Sequence, residues 1–355
     1  MHYVYPLTRN DTYQNRNAMA AEVDTLEDRF RLTPELLTTL LKDHTTSTKA
    51  LQRNILWATS DYEYLGEGYQ YADPILPHLL SDIHYRVVIP RVFKSRCTQS
   101  ARSREMAEVF TPSWVCNAQN NLIDAAWFGR PNVFNTEYVD AQGHHRWQPT
   151  EGEILFPEGK TWKDYVRDTR LEITCGEAPY IASRYDPTTG ELIPISQRIG
   201  LLDRKLRIVG EHTTTTADWL HWAQEAFMSI YAYEWQGDNL FIARQSMLFT
   251  FVEYFQQKFG NLPKARSINF IAYLISWNVW QMDGLKGVVP NSCGERRVMK
   301  QDLFDTIETI EPCRGCQTND IKKHNGIYCK IKDWSARDPK TGRRGKPIRF
   351  IDLIK

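Results

Sequence analysis

Apolar residues recur along residues 33–59 at Leu36, Leu37, Leu40, Leu41, Leu51, Ile55 and Leu56, and Thr33-Pro34-Glu35 opens this stretch. Thr33 supplies a capping hydroxyl and Pro34 suits a first helical turn, so the pattern predicts helices here. The β-branched run Tyr85-Arg86-Val87-Val88-Ile89-Pro90 reads as a strand ended by Pro90, and a basic connector follows from Lys94 to Arg104. A further helix is expected over Ser113 to Trp127, from the apolar positions Trp114, Val115, Ala118, Leu122, Ile123 and Ala126. It follows the turn Phe110-Thr111-Pro112 and stops at Gly129-Arg130-Pro131.

Residues 136–162 are polar and turn-rich, which suits an insertion or a strand pair. Leu171 to Gly176 reads as a strand running into a glycine turn, Ala217 to Ser229 as a helix, and Ile230 to Glu234 as a second strand. A long helix is expected from Asp238 to Phe259, closed by Gly260, while Ile268 to Trp280 fits either helix or strand. Strand and helix alternating from 171 to 290 predict an α/β layer built on a parallel sheet. The expected divisions are a helical N-terminal region at 1–104, an α/β domain at 105–290 and a cysteine-rich basic tail at 291–355.

Composition narrows the class. With 42% hydrophobic and 25% charged residues in 355, the chain matches ordinary globular proteins and not a disordered, collagenous or coiled-coil one. Lys and Arg total 44 against 43 Asp and Glu, a net charge of +1, so any nucleic-acid surface has to be local. The chain shows neither an apolar run of membrane-spanning length nor a start resembling a signal peptide. A cytoplasmic protein without a membrane partner is therefore expected.

In an open α/β sheet, ligands lie beyond the carboxyl ends of the strands, where a close turn and an acidic residue ending a later strand cooperate. Glu172-Ile173-Thr174-Cys175-Gly176-Glu177-Ala178-Pro179-Tyr180, Tyr233-Glu234-Trp235 and Gln281-Met282-Asp283-Gly284-Leu285 take those places in order. These segments, with Phe110-Thr111-Pro112 ahead of them, resemble the N6-adenine DNA methyltransferases of the γ motif arrangement, and closely the group called restriction endonuclease subunit M. The resemblance spans residues 105–290 and implies a Rossmann-like methyltransferase domain that binds S-adenosylmethionine and methylates adenine in double-stranded DNA, in a restriction-modification or phage-defence setting.

On that resemblance Phe110, Thr111 and Pro112 pack on the methionine part of the cofactor, and Glu172, Thr174, Cys175 and Gly176 form the cofactor turn. Glu234 is the ribose ligand, within Tyr231-Ala232-Tyr233-Glu234, and Asp283 accepts a hydrogen bond from the adenine amine. The chain departs from the family in three ways. Ala178 stands where the turn has a second glycine. Residues 183–217 fit an insertion, read as a hairpin around Pro187-Thr188-Thr189-Gly190. The asparagine-proline-proline-tyrosine loop that aligns the target amine has no counterpart, so the catalytic residues stay unassigned; Asn291 and Asp333 are the nearest local candidates. An inactive cofactor- or DNA-binding subunit that needs a partner chain is the alternative, followed by a metal-dependent nuclease built on Asp186, Asp203 and Lys205.

The cysteines carry a separate signal. Cys313-Arg314-Gly315-Cys316 is a Cys-x2-Cys knuckle, and with Cys293 and Cys329 it supplies four thiolates for a structural zinc site, His324 competing with Cys293 for the fourth position. Around them Lys322, Lys323, Lys330, Lys332, Arg337, Lys340, Arg343, Arg344, Lys346 and Arg349, interleaved with Tyr328 and Trp334, suit phosphate contacts plus base stacking. A second basic cluster, Lys94, Arg96, Arg102 and Arg104, is placed to flank a DNA cleft.

Overall fold

The computed structural model describes residues 32–80, 87–105, 108–301 and 306–354. The expected helical region before residue 32, and Tyr85 and Arg86 of the expected strand, lie outside the described residues. Thr33 caps α1 (Pro34–Leu41), its Oγ1 accepting from Leu36 N at 3.3 Å, and all four leucines of this helix are buried. The helix does not continue as the pattern predicts. The Asp43 carboxylate accepts from the Thr45 and Thr46 amides and turns the chain back, so that β1 (Lys42–Asp43) pairs antiparallel with β2 (Arg53–Asn54). Val87 to Pro90 form turn and irregular chain instead of a strand, and the basic connector is a helix, α2 (Arg96–Glu105).

The next helix, α3 (Ser113–Phe128), ends at a left-handed Gly129 with φ 70°. It is turned inside out relative to its apolar pattern: Asn117, Asn120 and Asp124 are buried, whereas Leu122 is 71% exposed. The buried guanidinium of Arg204 causes this, donating to Asp124 Oδ2, Asn117 Oδ1 and Asn121 Oδ1, while the Tyr165 hydroxyl donates to Asp124 Oδ1. A buried charge needs paired, hydrogen-bonded company, so the polar side of the helix follows the arginine inward. The turn-rich segment that follows contains the antiparallel pair β3 (Asn135–Val139) and β4 (His145–Pro149), then the short α4 (Trp162–Arg167), opened by a Thr161/Asp164 capping box.

A parallel sheet of β5 (Arg170–Glu172), β6 (Ile230–Glu234) and β7 (Val279–Gln281) stands in sequence order, with Leu171 opposite Tyr231 and Ala232 opposite Val279. Parallel neighbours need crossover segments. Here α5 (Leu201–His212) and α6 (Thr216–Met228) join the first two strands, and α7 (Gly237–Phe259) and α8 (Ala265–Asn278) join the second two. The chain is thus a mixed helix and sheet protein. The 183–217 segment is more than a hairpin: a turn bridged by Tyr185 and Leu192 precedes the whole of α5.

In the tail, β8 (Arg296–Gln301) pairs with β9 (Thr306–Glu311), a short α9 (Arg314–Thr318) follows, and β10 (Lys330–Arg337) pairs with β11 (Arg344–Arg349). The tail shares a core with the sheet, since Tyr233, Trp280, Met282, Val289, Cys329 and Ile331 form one buried cluster. Trp334 Nε1 donates to Asn278 Oδ1 at 2.7 Å and locks β10 against the end of α8. Among the described residues no helix is long and apolar enough to cross a membrane.

Candidate functional site

The chain after β5 enters the left-handed region three times, at Thr174 (φ 47°), Gly176 (φ 54°) and Ala178 (φ 61°). Glycine adopts this conformation freely, whereas a β-branched threonine and a fully buried alanine are held there by their surroundings. The turn aims Gly176 N at Glu234 Oε2, 2.8 Å away, and Glu234 Oε1 accepts from Gln236 N at 3.1 Å. The ring of Phe110 lies 3.8 Å from where a Cβ on Gly176 would stand.

These groups enclose a cavity of about 1000 Å³ over the carboxyl ends of β5 and β6. Phe110, Thr111, Glu172, Thr174, Cys175, Gly176 and Glu234 all line it, from three separate stretches of chain. Pro112 lies just outside, as the N-cap of α3. Glu172 Oε2 is buried and has no hydrogen-bond partner among the described residues. Burial, and then the neighbouring charge of Glu234, push the Glu172 carboxyl well above the usual carboxylate range. Burial also raises Glu234, against the backbone donors of Gly176, Gln236 and Trp235.

Asp283 is placed elsewhere. It is buried outside the cavity lining, accepts from the Leu285 and Lys286 amides at 3.0 and 3.2 Å, and caps the turn after β7. The catalytic candidates are also outside the lining: Asn291 holds a left-handed turn position at φ 59°, and Asp333 accepts from Ser335 within β10. Asp203 and Lys205 do not form a nuclease pair, since Asp203 Oδ2 accepts from Ser183 N at 2.8 Å while Lys205 Nζ donates to Val166 O at 3.0 Å and Ser229 Oγ at 2.6 Å. Asp186, the third member of that set, accepts from the Ser113 and Thr188 amides.

The cavity has a wall that the sequence motifs did not announce. Trp235 Nε1 donates to the Tyr71 hydroxyl at 3.0 Å, and both residues line the cavity, so its wall crosses the expected boundary at 104. Trp235 belongs to the Tyr233-Glu234-Trp235 segment singled out above, whereas Tyr71 carried no local signal. Arg102 and Lys94 do not flank a DNA cleft, because both are buried and paired with Asp238, Arg102 also holding Glu108. Arg104 does stand in the cavity lining.

The second centre joins Cys293, Cys313, Cys316 and His324, whose ligand atoms all lie within 4.8 Å of one another. Cys293 Sγ is 3.3 Å from Cys313 Sγ and 3.6 Å from Cys316 Sγ, and His324 Nδ1 is 3.4 to 3.6 Å from the three sulfurs. Burial opposes ionisation of Cys313, but the amides of Cys316 and Asn325 outweigh it and bring the thiol down to about 6. This donor set can hold a metal such as zinc. Cys329, expected as a ligand, is replaced by His324: it is fully buried in the apolar cluster under the tail, its Sγ donating to Gln281 O at 3.3 Å. No family model, curated protein or solved structure matches the chain.

Proposed function

We propose that the cavity binds S-adenosylmethionine and that the chain acts in DNA adenine N6-methylation, with zinc as a structural ion in the tail. One observation carries this reading: the residues singled out by resemblance around Phe110, Glu172 to Gly176 and Glu234 converge on a single cavity. The donor chemistry fits the group. A carboxylate offers about four lone-pair positions, and the backbone amides of Gly176, Gln236 and Trp235 occupy three on Glu234, leaving one for a ribose hydroxyl. The orphaned Glu172 oxygen is suited to a cationic group, which would return that carboxyl to its ionised form. The Phe110 ring and the Trp235–Tyr71 pair supply apolar surface beside these polar contacts. The cofactor itself brings the reactive methyl sulfonium, and the protein's task is to align the target amine with it.

The chain offers no assigned residue for that alignment, and one feature favours a second reading in which a partner chain completes the site. β5 is an edge strand, and Leu171, Ile173 and Val109 are 45%, 63% and 80% exposed at the cavity rim. Either way the cofactor contacts are testable. Glu172→Gln removes the charge and keeps the shape, and should weaken S-adenosylmethionine binding at least tenfold, about 1.4 kcal/mol, with adenosine binding unaltered. Unaltered affinity for S-adenosylmethionine in a folded variant would remove Glu172 from the site.

A further inference from the structure

The twenty residues Lys330 to Arg349 contain eight Lys and Arg and two Asp, in a chain whose net charge is only +1. Everything else therefore carries net negative charge, and the β10–β11 hairpin concentrates the positive potential. Its two acids do not neutralise it: Asp333 accepts from the amide and hydroxyl of Ser335, and Asp338 from Lys340 N and Thr341 Oγ1. Arg344 and Arg349 are engaged by Glu225 and Asp352. Lys330, Arg337, Lys340, Arg343 and Lys346 are exposed and have no ion-pair partner among the described residues.

The hairpin is also held firmly at its base. Lys332 Nζ sits about 5 Å from the ring centres of Tyr273, Trp277 and Trp334 and donates to the Tyr273 hydroxyl, while Tyr231 donates to Lys332 O. Gly342 closes the tip, its amide donating to Asp338 O at 2.8 Å. The free cations are thus presented by an ordered ribbon, which lowers the ordering cost of binding.

The aromatic residues interleaved with the charges offer no stacking platform. Trp334 is 4% exposed and Arg349 covers the ring of Tyr328. Among the described residues no large apolar side chain is exposed between Ile327 and Leu353, so the ribbon also lacks the apolar anchors of a membrane-surface element.

We propose that the distal β10–β11 hairpin is a phosphate-contact surface for double-stranded DNA, engaging the backbone through charge and leaving the bases unread. This deepens the DNA reading above and rests on it. Binding driven by phosphate neutralisation falls with salt, by about 0.9 in log K per log salt for each contact. The test is anisotropy titration of the 355-residue, zinc-loaded chain with two duplexes of unrelated sequence over a series of salt concentrations. Arg337→Gln, Lys340→Gln and Arg343→Gln together should reduce the salt slope by about 2.7 on both duplexes, with the unfolding midpoint retained. An unchanged slope, a change on one sequence only, absence of duplex binding, or binding to anionic phosphatidylserine vesicles in place of DNA would each overturn the proposal. S-adenosylmethionine titration of the same variant judges the cofactor site separately, since the hairpin substitutions touch none of its lining.

Discussion

Replacing His324 and Cys329 in turn separates the Cys293, Cys313, Cys316 and His324 donor cluster from the four-cysteine site the spacing suggested. A tetrahedral zinc with bonds of ~2.3 Å to sulfur and ~2.05 Å to nitrogen has edges of ~3.8 Å between sulfurs and ~3.6 Å from sulfur to nitrogen. The distances here are 3.3 and 3.6 Å between sulfurs and 3.4 to 3.6 Å to His324 Nδ1, so one ion fits among the four donors with only small adjustments. Wild-type protein and Cys329→Ser should each hold about one zinc per chain by the four-ligand rule. His324→Ala should lose at least a hundredfold in affinity, about 2.7 kcal/mol. Free zinc at a hundred times its dissociation constant should stabilise the wild type by about 2.7 kcal/mol against urea, and a chelator should remove that increment. Elemental analysis gives the stoichiometry, and the absorption of the cobalt-substituted protein distinguishes three thiolates and a histidine from four thiolates. Zinc lost in Cys329→Ser, or retained at full affinity in His324→Ala, would refute the assignment.

Two further substitutions probe the turn after β5. Ala178→Gly should change stability by less than about 1 kcal/mol, because relief of a left-handed alanine offsets the lost methyl and the freer unfolded chain; a urea midpoint indicating a loss above about 2 kcal/mol would contradict the strain at this position. Glu177 is buried, its Oε1 accepting from Arg91 N at 2.6 Å and its Oε2 bonded to the Tyr185 hydroxyl. Burial outweighs these hydrogen bonds and pushes its carboxyl up to about 7, from a model-compound value of 4.5. A carboxyl raised on folding stabilises below its unfolded value, and that stability is lost as the pH rises from about 4.5 through about 7. Wild type should lose up to about 3 kcal/mol across this window relative to Glu177→Gln, and parallel pH profiles of the two proteins would remove Glu177 as the cause.

The parts of the fold legible in the sequence are those where local pattern and tertiary demand agree. Ile230 to Glu234 forms the strand its β-branched and aromatic run predicts, and α7 stops at Gly260 as expected. The apolar face of α3 was misleading because Arg204, remote in sequence, draws Asn117 and Asp124 inward. Cys329 and His324 were exchanged for a similar reason: spacing counts residues, whereas the chain between Cys316 and Cys329 folds back so that His324 reaches the sulfurs while Cys329 enters the core. Asp283 has the right residue type at a strand end, but it lies outside the cavity lining, where its Oδ1 accepts from the Leu285 and Lys286 amides. Tyr71 reaches the cavity from the N-terminal region, through contacts that no local pattern encodes.

The central claim is tested most directly by calorimetric titration of the zinc-loaded chain with S-adenosylmethionine, with adenosine as the control lacking the methionine arm. Saturable one-to-one binding of S-adenosylmethionine, at least tenfold tighter than adenosine and weakened by Glu172→Gln, is the result predicted. Absence of S-adenosylmethionine binding to folded protein, or equal binding of the two compounds, would contradict it.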